Sequence, residues 1–131
     1  MKNINFEKIK NYGPAVVRMG LALVFLWFGL NQLFDPGSWI GWVPGWIHPI
    51  VHPAIVVFVN GLVEVILGTI LLLGFFTRTA SLILGLHLLG IAFSIGYSAT
   101  MIRDLGLAIA TLSITLTGPD KLCLSNKFKK N

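Results

Sequence analysis

Four apolar runs, each long enough to cross the ~30 Å core of a bilayer, decide what this chain can fold into. They extend from Ala15 to Phe34, Ala54 to Phe76, Thr79 to Tyr97 and, more weakly, from about Thr100 to Gly118. None shows the period-2 alternation of a barrel strand, so each is predicted to be a membrane-spanning helix. With 55% hydrophobic residues, 11% charged residues and a mean hydropathy of +0.81, the chain is too apolar for a soluble domain of 131 residues. The expected architecture is all-α: one membrane domain over residues 1–131, folded as an antiparallel four-helix bundle. Pro14 and Pro53 stand at helix openings, where a missing N–H costs little, and Asp35-Pro36-Gly37 closes the first run. Between the second and third runs only Gly74 to Arg78 is available, which predicts a tight hairpin with Thr77 or Thr79 as its N-cap. The first run is longer than a signal-peptide core and lacks an A-x-A cleavage pattern, so it is expected to be retained as a span.

Charge assigns an orientation. Lys2, Lys8, Lys10, Arg18, Arg78, Lys121, Lys127, Lys129 and Lys130 share one side of the four spans, against Arg103 alone on the other. Both termini are therefore expected in the cytoplasm and the chain in the cell membrane. The net charge of +5 reads as a topology signal and a source of lipid-phosphate contacts rather than a nucleic-acid footprint. The connection 35–52 lacks Lys and Arg and interleaves Trp39, Trp42 and Trp46 with Ile40, Val43 and Ile47, as a segment at headgroup level would. Two readings of it stay open: an anchoring belt, or a lid over a ligand cavity. The single cysteine, Cys123, argues against dithiol exchange, and His48 and His52, each followed by proline, are a weak metal pair.

Helical spacing sorts the polar residues into stripes. Arg18, Ala22, Phe25, Gly29 and Gln32 form one; Asn60, Glu64 and Gly68 a second; His87, Gly90, Ser94 and Tyr97 a third; Asp104, Ala108, Thr111 and Thr115 a fourth. Each is expected to face the bundle interior, with Arg18 snorkelling to the cytoplasmic interface. At a rise of about 1.5 Å per residue, Glu64 and His87 fall within about 2 Å of the midplane. Asn60, Arg103 and Asp104 fall about 7 to 9 Å toward the other face, and Gln32 near 11 Å. A closed network of Gln32, Asn60, Arg103 and Asp104 is expected in that outer layer, because a buried charge left unpaired is costly. Glu64, an acid inside VNGLVEVILGTILLLGFF, is the strongest functional candidate, with His87 at matching depth as a second proton-exchange group.

The chain resembles the DoxX family of small four-helix membrane proteins from about Val17 to Leu124. The resemblance is carried by RMGLALVFLWFGLNQLFDP in the first span, by EVILG from Glu64 with Gly74 and Thr77-Arg78, by Arg103-Asp104 and by the closing GPDKLCLSN. Family members often carry lysine where Gln32 stands, and their closing S-L-D appears here as Leu124-Ser125-Asn126. The resemblance implies a membrane subunit linked to a quinone-dependent redox complex, or a scaffold or assembly factor without enzymatic activity. On the quinone-linked reading, Gln32, Asn60, Glu64, His87, Arg103 and Asp104 surround a quinone head and a partner brings the redox centre, since the sequence displays no electron carrier of its own. A small proton-coupled transporter is a third reading, against which stands the lack of an inverted repeat. The expected partners are the bilayer, a soluble or membrane redox protein and a second copy of the chain; metal and nucleic acid are not expected.

Overall fold

The computed structural model describes residues 5–128. Its α-helices are α1 (Phe6–Lys10), α2 (Gly13–Phe34), α3 (Pro53–Leu73), α4 (Thr77–Ile95), α5 (Ala99–Thr117) and α6 (Ser125–Phe128), with a 3-10 helix over Pro36–Trp42 after α2. Four helices are long and apolar enough to span a bilayer, and the described residues contain no strand. This is the all-α membrane bundle that the apolar runs predict. Large side chains such as Leu23, Trp27, Ile66, Leu86 and Ile109 are exposed on its outer surface, where lipid takes the place of water. The interior is a narrow seam around Leu21, Ala22, Phe25, Leu71, Ala80, Leu84, Leu88, Ala108 and Ile114.

The bundle is built from two close pairs, α2 with α3 and α4 with α5. In the first pair two glycines meet at the crossing. A Cβ on Gly29 would lie 2.9 Å from the Gly61 carbonyl oxygen, and a Cβ on Gly61 would lie 2.9 Å from that of Gly29. Only hydrogen atoms fit there, so the backbones approach as small residues allow in membranes. This crossing sets Gln32, three residues after Gly29, beside Asn60 and Glu64, which flank Gly61 on α3. In the second pair Gly85 receives the Leu112 side chain.

Gly74 ends α3 at φ 82°, where its N–H reaches the carbonyls of Ile70 and Leu71 and the chain reverses into α4. The turn departs from the predicted capping. The N-cap of α4 is Phe76, which offers no side-chain acceptor, while the Thr77 hydroxyl faces the Cys123 sulfur at 3.5 Å. The closing segment folds back under this turn, with Leu124 N–H donating to the Leu73 carbonyl at 3.0 Å. Both described ends of the chain therefore lie at one end of the bundle, and the tryptophan-rich connection lies at the other.

Arg18 does not snorkel. It is 1% exposed, its Nε donates to Asp120 Oδ2 at 2.7 Å, and its Nη1 donates to the carbonyls of Leu71 and Leu72 at 2.8 and 2.6 Å. The carbonyls of the last turn of α3 are only partly satisfied by the Gly74 N–H, and a guanidinium within reach supplies further donors without a path to the interface. Asp120 is itself folded inward: its Oδ1 accepts from Leu122 N–H at 2.9 Å and its carbonyl from Asn126 Nδ2 at 2.6 Å. Burial alone would raise the Asp120 carboxyl, but bonds from Arg18, the Leu122 N–H and Cys123 hold it below the usual carboxylate range.

Candidate functional site

At the end opposite the termini, between the two helix pairs, lies a cavity of about 360 Å³. That is within the range of about 300–1,000 Å³ typical of small-molecule sites. Most of its wall is apolar, from Val24, Phe25, Phe28, Val57, Leu88, Ile91 and Leu107. Its roof is the connection after α2: Trp39, Trp42, Val43, Pro44 and Ile47 all line it. Of the two readings of that segment the geometry favours a lid for this part, while Trp46 and Ile50, 69% and 71% exposed, point away from the cavity. Phe28 meets Trp39 edge-on at 5.5 Å and lies 5.6 Å under the Arg103 guanidinium, which links α2, the lid and α5.

Besides the hydroxyls of Ser94 and Thr100, the polar residues of the cavity fall into two groups. On the α2/α3 wall, Glu64 Oε2 accepts from Gln32 Nε2 at 3.0 Å, Glu64 Oε1 accepts from Asn60 Nδ2 at 3.2 Å, and Asn60 Nδ2 also reaches Gln32 Oε1 at 2.6 Å. The midplane acid thus has an amide partner on each oxygen, and both Glu64 and Gln32 are buried. Depth measured from span centres sets Gln32 about 9 Å above Glu64; the Gly29–Gly61 crossing and two long side chains close that gap. On the α5 wall, Arg103 donates from Nε and Nη2 to the same oxygen of Asp104, both at 3.0 Å. Asp104 is buried and the Arg103 side chain is 54% exposed. No hydrogen bond among the described residues joins the two groups, so the expected closed network is instead two clusters facing each other across the cavity. Adjacent residues satisfy the Asp104 charge locally, which leaves nothing to draw it across.

His87 lies behind Glu64 rather than in the cavity wall. Its Nε2 is 3.9 Å from Glu64 Oε1, too long for a hydrogen bond, and has no hydrogen-bond partner among the described residues. Of the rest of its stripe only Ser94 reaches the cavity lining; Gly90 and Tyr97 do not. Gly90, Ser94 and Tyr97 are all exposed, and α4 buries Thr77, Ala80, Ser81, Leu84, Gly85, Leu88 and Ala92 instead. The Ser94 hydroxyl donates to the Ile91 carbonyl of its own helix at 2.7 Å, so it needs no interior partner. Of the other stripes, Arg18, Ala22, Phe25, Gly29 and Gln32 on α2 are all buried, and so are Asp104, Ala108 and Thr111 on α5. His48 and His52 make separate local bonds, His52 Nδ1 capping α3 by accepting from Ala54 N–H at 3.2 Å.

The aromatic contact through Phe28 and the anchoring role of Asp120 escape spacing arguments. For Asp120 a signal is present: it is an acid just past the last span, on the side where the cations collect. No curated protein and no solved structure matches the chain. The DoxX family model matches residues 13–97, well over half of the chain, from the start of α2 through the turn after α4. That stretch holds Gln32, Asn60, Glu64, His87 and the lid, and the chain belongs to the DoxX family.

Proposed function

We propose that this DoxX protein holds the head of a quinone or similar lipophile under the tryptophan lid, as a membrane subunit that works with a separate redox protein. The observation that carries the reading is the composition of the cavity. An apolar chamber within a lipid-embedded bundle admits a lipophile, and two facing polar clusters supply both donors and acceptors for a head with two oxygens. When bound, a quinone supplies two-electron, two-proton chemistry, and the partner supplies the electrons. The protein's own residues do the rest. Arg103 and Asn60 offer N–H donors, the lid and Phe28 exclude water, and Glu64 exchanges a proton at Oε1 or Oε2. His87, behind it, is the next ionisable group along from the cavity.

Trp39 and Trp42 make the reading measurable, because they line the cavity. Titrating the purified protein with a short-chain ubiquinone should quench tryptophan fluorescence saturably, and Trp39→Phe with Trp42→Phe should remove most of that quenching. If the wild type shows no saturable component, the scaffold reading takes its place. The cell membrane with both termini cytoplasmic is the proposed setting, supported by the cation distribution. With Cys123 replaced by serine, Lys127→Cys should react with an impermeant thiol reagent from the cytoplasmic side alone and Ser38→Cys from the opposite side alone. Reaction of both from the same side contradicts this arrangement.

A further inference from the structure

At the end that holds the termini, a second and more open pocket of about 330 Å³ lies between the start of α4 and the closing segment, remote from the tryptophan lid. We propose that it binds the phosphate of an anionic phospholipid, with Arg78 as the charge partner. Its walls are Phe75, Phe76 and Pro119, and its polar lining is Thr77, Arg78, Thr79 and Ser125. It sits where α3 ends and α4 begins, which in a bundle spanning a bilayer is headgroup level. Phe76 is 79% exposed there, an aromatic surface suited to glycerol and the first acyl carbons.

Charge and hydrogen-bonding capacity favour an anion. The two acids of this end are already engaged: Asp120 holds Arg18 at 2.7 Å, and Glu7 holds Lys10 at 3.1 Å. The Arg78 side chain, by contrast, makes no hydrogen bond or ion pair with a described residue. It is seated against the Gly118 backbone, where a Cβ would come within 2.6 Å of Nε and 2.8 Å of Nη2. A guanidinium held by packing, with its donors unspent, matches the fork geometry of a phosphate. Two further features of the same pocket need an acceptor or donor. Ser125 Oγ is buried without a hydrogen-bond partner among the described residues, and the first turn of α4 has no side-chain cap. Basic pockets between spans at the headgroup level are a recurrent means of lipid headgroup recognition.

Native mass spectrometry of the detergent-solubilised chain tests this with phosphatidylglycerol, phosphatidylcholine and soluble glycerol phosphate. Phosphatidylglycerol adducts should survive several-fold better than phosphatidylcholine adducts, and glycerol phosphate at equal concentration should not displace them. Arg78→Gln should abolish that preference, Arg78→Lys should keep it at reduced strength, and Lys127→Gln should leave it unchanged. Phe76→Ala alters an exposed side chain and so spares the fold, and it should weaken phosphatidylglycerol binding several-fold. Four results overturn the proposal: equal retention of both lipids, an unchanged preference in Arg78→Gln, undiminished phosphatidylglycerol binding in Phe76→Ala, or displacement by glycerol phosphate, which would mark a site for soluble phosphate.

Discussion

Replacing Arg18 by leucine should destabilise the bundle by about 3–5 kcal/mol, the cost of leaving a buried carboxylate without its partner. The Arg18 and Asp120 side chains are 1% and 3% exposed, and the same guanidinium donates to the Leu71 and Leu72 carbonyls, so the change removes the cation from Asp120 and one donor from each carbonyl. Thermal unfolding in mild detergent reads the loss directly. Asp120→Asn should destabilise as well, and Arg18→Leu combined with Asp120→Leu should lose less than the sum of the single variants, because each single change already breaks the pair. The pH dependence has a definite sign. The folded-state value of the Asp120 carboxyl is depressed, so its contribution is complete above the unfolded value of about 3.9 and disappears as pH falls through the folded value. The stability gap between wild type and Asp120→Asn should thus be constant near neutrality and narrow below about pH 4. A gap that is absent at pH 7 would show that the pair contributes nothing to the fold.

Glu64 should produce the other large effect, on ligand binding. Glu64→Gln keeps the volume and a carbonyl acceptor for Asn60 or Gln32, so the bundle should remain folded with a melting temperature close to wild type. What it removes is the ability to gain and lose a proton. Ubiquinone affinity, followed by quenching of Trp39 and Trp42, should vary across pH 5 to 8 in the wild type and be flat in Glu64→Gln. Glu64→Leu should lower affinity by about tenfold or more, since it strips an acceptor from the amides of buried Gln32 and half-buried Asn60, which then compete with the ligand for partners. Equal affinity and equal pH dependence in all three proteins would make Glu64 a residue that sets helix register, without a part in binding.

Much of the fold is legible in the sequence because membrane insertion leaves few options. Run length gives the spans, and small-residue spacing gives the inward faces of α2 and α5. The inward face of α4 is harder to read because serine and glycine carry an ambiguous signal. A Cβ on Gly90 would meet nothing within 4 Å, so that residue is not drawn inward, and Ser94, though it lines the cavity, spends its hydroxyl on its own helix. Site residues on α2, α3 and α5 follow from their spacing, but their grouping does not. Whether Asp104 reaches Asn60 or stays with Arg103 depends on rotamers and on a cavity width that a one-dimensional depth scale lacks. The Arg18–Asp120 pair is hidden for a different reason. The partners are 102 residues apart, and an arginine near a helix start reads equally well as an interfacial anchor.

That separation bears on biosynthesis. Arg18 lies in the first of the four spans described, and its counter-ion is made after the fourth. Until then Asp120 is not there to pair with its guanidinium, and the carbonyls at the end of α3 become available only when the second span is in place. The buried contacts of Arg18 are therefore complete only once the segment after α5 has folded beneath the turn. Closure of this end of the bundle thus waits for the segment after α5, and a chain truncated before Asp120 would leave the Arg18 guanidinium without that carboxylate.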